Sequence, residues 1–384
     1  MPQLVAIDLP GGPSFVDALQ REWAAGNAVL PVDRRLPGPA RAALLAAMAP
    51  GALIDAVGRR TLEGGRPTEP GDALVMATSG STGTPKGVVL THDAVAASAR
   101  ATSARLGITT DDTWLACLPL AHVGGLSVIT RALATGTSLV VHDGFDADRV
   151  RQAASDGATA VSLVATALQR IDPSLFRVIV LGGAKPPAAL PANAHTTYGL
   201  TETGSGVVYD GRPLDGVEVQ LTADGEVLLR CPMLLRVYRD GTSPTDADGW
   251  LHTGDLGRWL PDGRLHVEGR RGDLIITGGE NVWPEPVEAA IAALPSVADV
   301  AIAGMPDAEW GQQVTAWVVA HGTPPTLAEL RRQVIETLPA FCAPKAVHVV
   351  ETLPRTALGK IQRHVLVASA GTTAAASTGE SVDQ

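Results

Sequence analysis

Residues 78–87 read Thr-Ser-Gly-Ser-Thr-Gly-Thr-Pro-Lys-Gly, with three glycines, five hydroxyl side chains and one lysine. An apolar run, Ala73-Leu74-Val75-Met76-Ala77, leads in, and Gly87-Val88-Val89-Leu90 leads out. Short apolar runs bounded by turn residues read as strands, so the chain must turn here between two of them. Such a turn exposes backbone N–H groups, hydroxyl donors and one cation. Glycines allow the backbone to approach a ligand closely, and successive N–H groups form an anion nest, so a polyphosphate suits it. A Walker loop is excluded by spacing. It needs Gly-x-x-x-x-Gly-Lys-Ser/Thr running straight into a helix, whereas here Pro85, Lys86 and Gly87 lead into a strand. On composition alone the stretch reads first as a plain flexible loop, and the single lysine framed by Pro and Gly shifts the balance toward a phosphate site.

The neighbouring pattern sets the fold class. Phe15, Leu19 and Trp23 recur four apart over Ser14–Ala25, predicting a helix. A strand and turn over Ala28–Asp33 and an alanine-rich helix near Ala40–Met48 follow. Thr91 is placed to cap a helix running to about Arg105. Strand-like runs at Trp114–Leu118, Ser138–Val141, Ala160–Leu163 and Arg177–Leu181 alternate with helical ones such as Ala147–Ala154, which argues for α/β layers. Glu218–Leu221 and Glu226–Arg230 read as a hairpin turning at Asp224-Gly225, part of a small β subdomain. Beyond it, a helix opened by Pro284, strands near Ala298–Ala303 and Val314–Val319, and a helix near Leu327–Thr337 make a small α+β unit. The expected division is a large domain over 1–271, a small one over 272–366, and a disordered Ala/Ser/Thr/Gly tail over 367–384.

Charge and cysteine usage narrow the partners. With 384 residues and a net charge of −10, the chain as a whole repels nucleic acid and anionic membrane. Anionic ligands must therefore be met by local donors. Cys117, Cys231 and Cys342 are too scattered for a metal site or a disulfide framework, which is consistent with a reducing cytoplasm. No cationic start with an apolar core reads as a signal peptide, and no run of about 18 apolar residues reads as a membrane span.

The 78–87 run resembles the phosphate loop of the adenylate-forming superfamily, and further motifs of that superfamily follow in order. The resemblance implies a large adenylate-forming domain of α/β layers, with a small mobile α+β C-terminal domain. Thr78, Ser79, Gly80, Ser81, Thr82, Gly83, Thr84 and Lys86 would bind ATP phosphates. Tyr198-Gly199-Leu200-Thr201-Glu202-Thr203 matches the second motif: Tyr198 and Gly199 at adenine, Thr201 at phosphate, Glu202 on Mg²⁺. Hard Mg²⁺ takes oxygen ligands, commonly one or two carboxylates plus phosphate oxygens, so a lone glutamate suits it. Asp255, in Gly249-Trp250-Leu251-His252-Thr253-Gly254-Asp255, and Arg270 would hold the ribose. Gly272 stands at the hinge, and Gly278 and Gly279 line the CoA tunnel. Pro354-Arg355-Thr356-Ala357-Leu358-Gly359-Lys360 ends on the adenylation lysine. Its task follows from electrostatics. A carboxylate must attack an α-phosphate, and two unit charges about 4 Å apart repel by roughly 4 kcal/mol at an effective dielectric of 20. A bridging cation offsets that.

His122, Ser162, Thr166, Gly182, Gly183 and Ala184 fall where the superfamily lines its acyl pocket. Ser162–Leu168, Val208–Val217 and the short first subdomain are similar to the o-succinylbenzoate–CoA ligases of menaquinone synthesis. Lys185 could face the second carboxylate of a diacid or be an ordinary surface lysine. The implied co-substrates are ATP, Mg²⁺, CoA and a small carboxylic acid, with no nucleic acid or membrane partner. A homodimer stays open. So do two other readings, a stand-alone enzyme loading a carrier protein and a non-catalytic nucleotide-binding relative.

Overall fold

A computed structural model describes residues 1–79, 85–183, 189–355 and 361–377. The chain forms two compact units, Met1–Thr253 with Arg258–His266, and Gly254–Gly257 with Val267–Gln384. The division thus falls before Gly272, and residues 254–257 group with the second unit.

In the first unit, one sheet uses β1 (Leu4–Ile7), β2 (Ala28–Pro31), β3 (Ala52–Asp55), β4 (Gly58–Thr61), β5 (Asp72–Ser79) and β6 (Pro85–Thr91). β1, β2, β3 and β5 run parallel, while β4 and β6 return antiparallel. A second sheet uses β7 (Thr113–Ala116), β8 (Ser138–Val141), β9 (Ala160–Leu163), β10 (Val178–Leu181), β11 (Ala194–Leu200), β12 (Ser205–Tyr209) and β13 (Arg212–Pro213). Its order is β13-β12-β11-β10-β9-β7-β8, with a parallel centre and antiparallel β12 and β13. Parallel strands buried on both faces read as unbroken apolar runs, and Val178–Leu181 is buried throughout. Helices α1 (Pro13–Ala24), α2 (Gly38–Met48), α3 (His92–Leu106), α4 (Val123–Thr135), α5 (Ala147–Ser155) and α6 (Ala165–Leu168) accompany the sheets. Thr91 caps α3 as expected, its hydroxyl accepting from the Ala94 N–H at 3.1 Å. β14 (Glu218–Leu221) and β15 (Glu226–Arg230) form the anticipated hairpin, with Gly225 at φ 83°. β16 (Val237–Tyr238) adds to the first sheet by pairing with β6. The chain crosses between the units within β17 (Leu251–Trp259) and β18 (Leu265–Arg270).

In the second unit, β19 (Ile275–Thr277), β20 (Glu280–Val282), β21 (Val297–Asp307), β22 (Gly311–Ala320) and β23 (Ala346–Val349) form one sheet. With α7 (Pro284–Ile291) and α8 (Leu327–Ile335) it encloses a core of Ile275, Val287, Ile291, Ile302, Val318, Leu330 and Val334. The tail departs from expectation, since α9 (Arg363–Ser377) covers much of the stretch read as disordered. Alanine is the strongest helix former, and Leu366 anchors the helix in a pocket with Trp317 and Leu353.

Candidate active site

The larger unit gathers its predicted residues at strand ends. β5 and β6 form the expected antiparallel hairpin, with Thr78 opposite Lys86 and Ser79 opposite Pro85. Gly80, Ser81, Thr82, Gly83 and Thr84 lie outside the described residues. Tyr198 and Gly199 sit on β11 at a break in its register with β12. A Cβ at Gly199 would collide with the Ser205 carbonyl, so this position requires glycine. Thr201 and Glu202 follow in a short 3-10 turn (Thr201–Thr203). Buried Thr203 holds that turn, donating to the Ser205 carbonyl at 2.7 Å and accepting from the Leu200 N–H at 2.9 Å.

Glu202 is braced from a segment that no motif marked. The Tyr238 hydroxyl donates to Glu202 Oε1 at 2.8 Å, and the Lys86 ammonium stands 5.1 Å from the centre of the Tyr238 ring. The Leu235 N–H donates to the Glu202 carbonyl at 2.7 Å. Among the described residues no cluster of three or more His, Cys, Asp or Glu could hold a metal alone. One half-buried carboxylate beside a phosphate-type loop fits Mg²⁺, which completes its shell from phosphate oxygens and water.

Ser162, Thr166, Gly182 and Gly183, expected at an acyl pocket, lie on and just after β9 and β10, toward the C-terminal strand ends where open α/β sheets bind ligands. Ser162 is buried on β9, Thr166 is exposed on α6, and Gly182 and Gly183 follow β10. A Cβ on Gly182 would press on Thr197 Oγ1 at 2.8 Å, and Gly183 adopts φ 82°. Ala184 and Lys185 lie outside the described residues.

Beneath Ser162 lies a residue that motif reading missed. Arg131, in the middle of α4, is 2% exposed. Its guanidinium donates to Ser205 Oγ at 2.7 Å, Ser127 Oγ at 3.0 Å and Ser162 Oγ at 3.4 Å, and lies over the Trp114 ring at 5.4 Å. Its Nε has no partner, and no carboxylate pairs with it among the described residues. Burial pushes its pKa down, but an arginine starts high enough to stay charged. A buried charge without a counter-ion is costly, and groups perturbed by burial in this way cluster at functional sites. The signal was present in the sequence as one arginine inside an otherwise uncharged helix, four residues after Ser127.

His122 stands at the N-cap of α4. Arg35 grips Asp33 with Nε at 2.8 Å and Nη2 at 2.7 Å, and brings Nη2 to 3.2 Å from His122 Nε2. Arginine only donates, so a hydrogen bond from Arg35 has Nε2 accepting, while the same Nε2 stands 3.5 Å from Asp33 Oδ2, to which an Nε2–H would donate. Burial, opposed by Asp33, lowers the His122 pKa and favours the neutral ring. His92 and His142 are also lowered by burial. Below 6.5 the unfolded chain therefore binds more protons than the native one, and stability is lost as pH falls through 6.5 toward the depressed values. The thermal midpoint should drop between about pH 7.5 and pH 5.5, and His122→Asn should shrink that drop. A midpoint that rises on acidification contradicts the assignment.

In the second unit Asp255 is buried and pairs with Arg270, Oδ1 to Nε, at 2.9 Å. Gly272 does not occupy the left-handed region, and a Cβ there would meet open space. Its conformational freedom is therefore not needed in this arrangement. Gly278 (φ 58°) and Gly279 (φ 84°) form the two-residue turn between β19 and β20, and a Cβ on Gly278 would press on Trp310 at 2.7 Å. Lys360 lies outside the described residues. Its flanks Arg355 and Ile361 form an antiparallel bridge, and Arg363 donates to both Glu288 oxygens at 2.8 and 3.0 Å.

Layered α/β sheets with a glycine-rich hairpin turn and a braced acidic turn at strand ends define a nucleotide-handling enzyme with a separate C-terminal unit. The AMP-binding enzyme family model matches residues 59–231, and the AMP-binding enzyme C-terminal domain model matches residues 286–360. The chain belongs to this family, within its adenylate-forming acyl/aryl-CoA ligases. It is 40% identical over 322 residues to a probable 2-succinylbenzoate–CoA ligase of Mycobacterium tuberculosis, covering 77% of this chain and 84% of that relative. Against the 2-succinylbenzoate–CoA ligase of Bacillus anthracis the identity is 37%, over 76% of this chain and 69% of the relative. The o-succinylbenzoate CoA synthetase of Bacillus subtilis with its acyl-adenylate intermediate OSB-AMP superposes with a TM-score of 0.85 at 29% identity, over 94% of this chain and 87% of that one. The same enzyme has been solved with ATP and a magnesium ion.

Proposed function

We propose that this chain is an ATP-dependent 2-succinylbenzoate–CoA ligase, acting in a reducing cytoplasm. The observation that carries the choice of acid is Arg131. 2-Succinylbenzoate has two carboxylates, one to be activated and one that stays charged. A buried guanidinium whose hydrogen-bond partners among the described residues are serine hydroxyls would offer the second carboxylate its counter-ion. The relatives named above support the same acid.

Lys360 would bridge the reacting carboxylate and the α-phosphate, offsetting their repulsion and stabilising the charge built up in transit. The 78–86 turn and Thr201 would hold the phosphates, Tyr198 and Gly199 the adenine, and Asp255 and Arg270 the ribose. Glu202 is the residue that would hold Mg²⁺, whose charge draws electron density from the phosphate oxygens. The carboxylate attacks the α-phosphorus, the bond from it to the α–β bridging oxygen breaks, and pyrophosphate leaves with that electron pair. Rotation of the second unit about Gly272 would then exchange Lys360 for Gly278 and Gly279. The CoA sulfur displaces AMP from the acyl carbon. His122 would sit at the acyl pocket.

The test is AMP release with 2-succinylbenzoate as the only acid. The expected result is release that depends on free CoA. Turnover with a phosphopantetheine carrier protein but not with CoA would move the chain to the carrier-loading class.

A further inference from the structure

We infer that Tyr238 is a positioning residue for the adenylation step, orienting Glu202 for the metal and seating Lys86 of the phosphate turn. The inference rests on reading Glu202 as the metal's carboxylate, and not on which acid is activated. Three segments distant in sequence meet at this side chain. Tyr238 lies on β16, which pairs with β6 in the register Val237 to Val89 and Tyr238 to Val88. β6 begins at the end of the phosphate turn, so this pairing fixes Tyr238 close to Lys86. The backbone is clamped on both sides, because the Arg239 N–H donates to the Gly87 carbonyl at 2.6 Å and the Arg236 N–H to the Val89 carbonyl at 2.9 Å. The Arg239 guanidinium is tied to the carbonyls of Met48 and Pro67 at 3.1 and 2.7 Å, which fixes the strand from behind.

From this anchored position the ring offers its face to Lys86 and its hydroxyl to Glu202. A phenol donating to one carboxylate oxygen fixes the rotamer and leaves the other oxygen free for a hard cation. Partners of this kind typically carry tenfold to a hundredfold in metal affinity. The aromatic face steadies an exposed ammonium through cation–π attraction, and the nearby Asp240 carboxylate adds an electrostatic pull without a direct ion pair. A carboxylate in the same place would bind Lys86 more tightly and compete with the phosphates. Tyrosine is the residue type that does both jobs with no net charge.

The experiment uses the full chain with ATP and Mn²⁺ in the absence of any acid, reading Mn²⁺ binding by electron paramagnetic resonance. A second readout is the Mg²⁺ dependence of ATP–pyrophosphate exchange. Tyr238→Phe keeps the ring and removes the hydroxyl. It should weaken Mn²⁺ binding about tenfold and raise the half-saturating Mg²⁺ by the same factor. The KM for the acid should stay unchanged and the thermal midpoint should move by less than about 3 °C. Tyr238→Leu should additionally raise the KM for ATP. Glu202→Gln alone should weaken Mn²⁺ binding, and adding Tyr238→Phe to it should cost nothing further, because the tyrosine acts through that carboxylate. Unchanged Mn²⁺ binding in Glu202→Gln would remove the reading of Glu202, and the inference with it. Weakened binding in Glu202→Gln with none in Tyr238→Phe, or additive losses in the double variant, would overturn the role of Tyr238 alone.

Discussion

Lys360→Ala lowers acid-dependent ATP–pyrophosphate exchange by at least about a hundredfold, the range seen on losing one transition-state donor. It leaves thioester formation from supplied acyl-adenylate within a few-fold of the parent enzyme. The asymmetry is the point of the prediction. The lysine is needed only while two anions approach each other; once the mixed anhydride exists, the attacking thiol meets a carbonyl carbon and the bridging cation has no further task. Gly272→Pro should show the opposite pattern, with exchange retained and thioesterification lost, because a fixed φ removes the rotation. Equal losses in both half-reactions for Lys360→Ala would refute this division of labour.

The second large effect belongs to Arg131. Arg131→Gln keeps hydrogen-bonding capacity toward Ser127 and Ser205 but removes the charge. Truncating one member of a buried charge pair costs about 2–5 kcal/mol, or roughly thirtyfold to several thousandfold in kcat/KM for 2-succinylbenzoate. The loss should depend on the substrate. An analogue in which the carboxylate that is not activated becomes an amide should be a poor substrate of the parent enzyme, and the variant should handle it no worse. A purely structural arginine would depress both acids alike and lower the thermal midpoint. Comparing the acids within each variant separates these cases even where the variant is less stable.

Much of the architecture was legible in the sequence because its signals are local. Thr91 before an amphipathic run, Asp224-Gly225 between alternating strands and Pro284 opening a helix each carry their own geometry, and each forms the expected element. The β5–β6 hairpin was readable for the same reason, two apolar runs flanking a turn. The strands β1, β3 and β4 were not singled out. Length alone does not explain this, since β2, β9 and β10 are equally short and were read; β4 is exposed throughout and carries no apolar pattern to read. The helix over 363–377 was hidden by a composition of small residues that suits a coil as readily as a helix. Of the site, the ordered motifs disclosed the residues that would touch ATP. They could not disclose Tyr238 or Arg131, whose meaning comes from partners 36 and 74 positions away at Glu202 and Ser205. A lone arginine in an apolar helix was visible all along, but its lack of a carboxylate partner is a property of packing.

Acid-dependent activation of ATP over the glycine-rich turn is tested most directly by ATP–pyrophosphate exchange with 2-succinylbenzoate as the sole acid and no CoA present. The expected exchange requires the acid and Mg²⁺ and is nearly abolished in Lys360→Ala. A folded protein that binds ATP yet shows no exchange with this acid would contradict it.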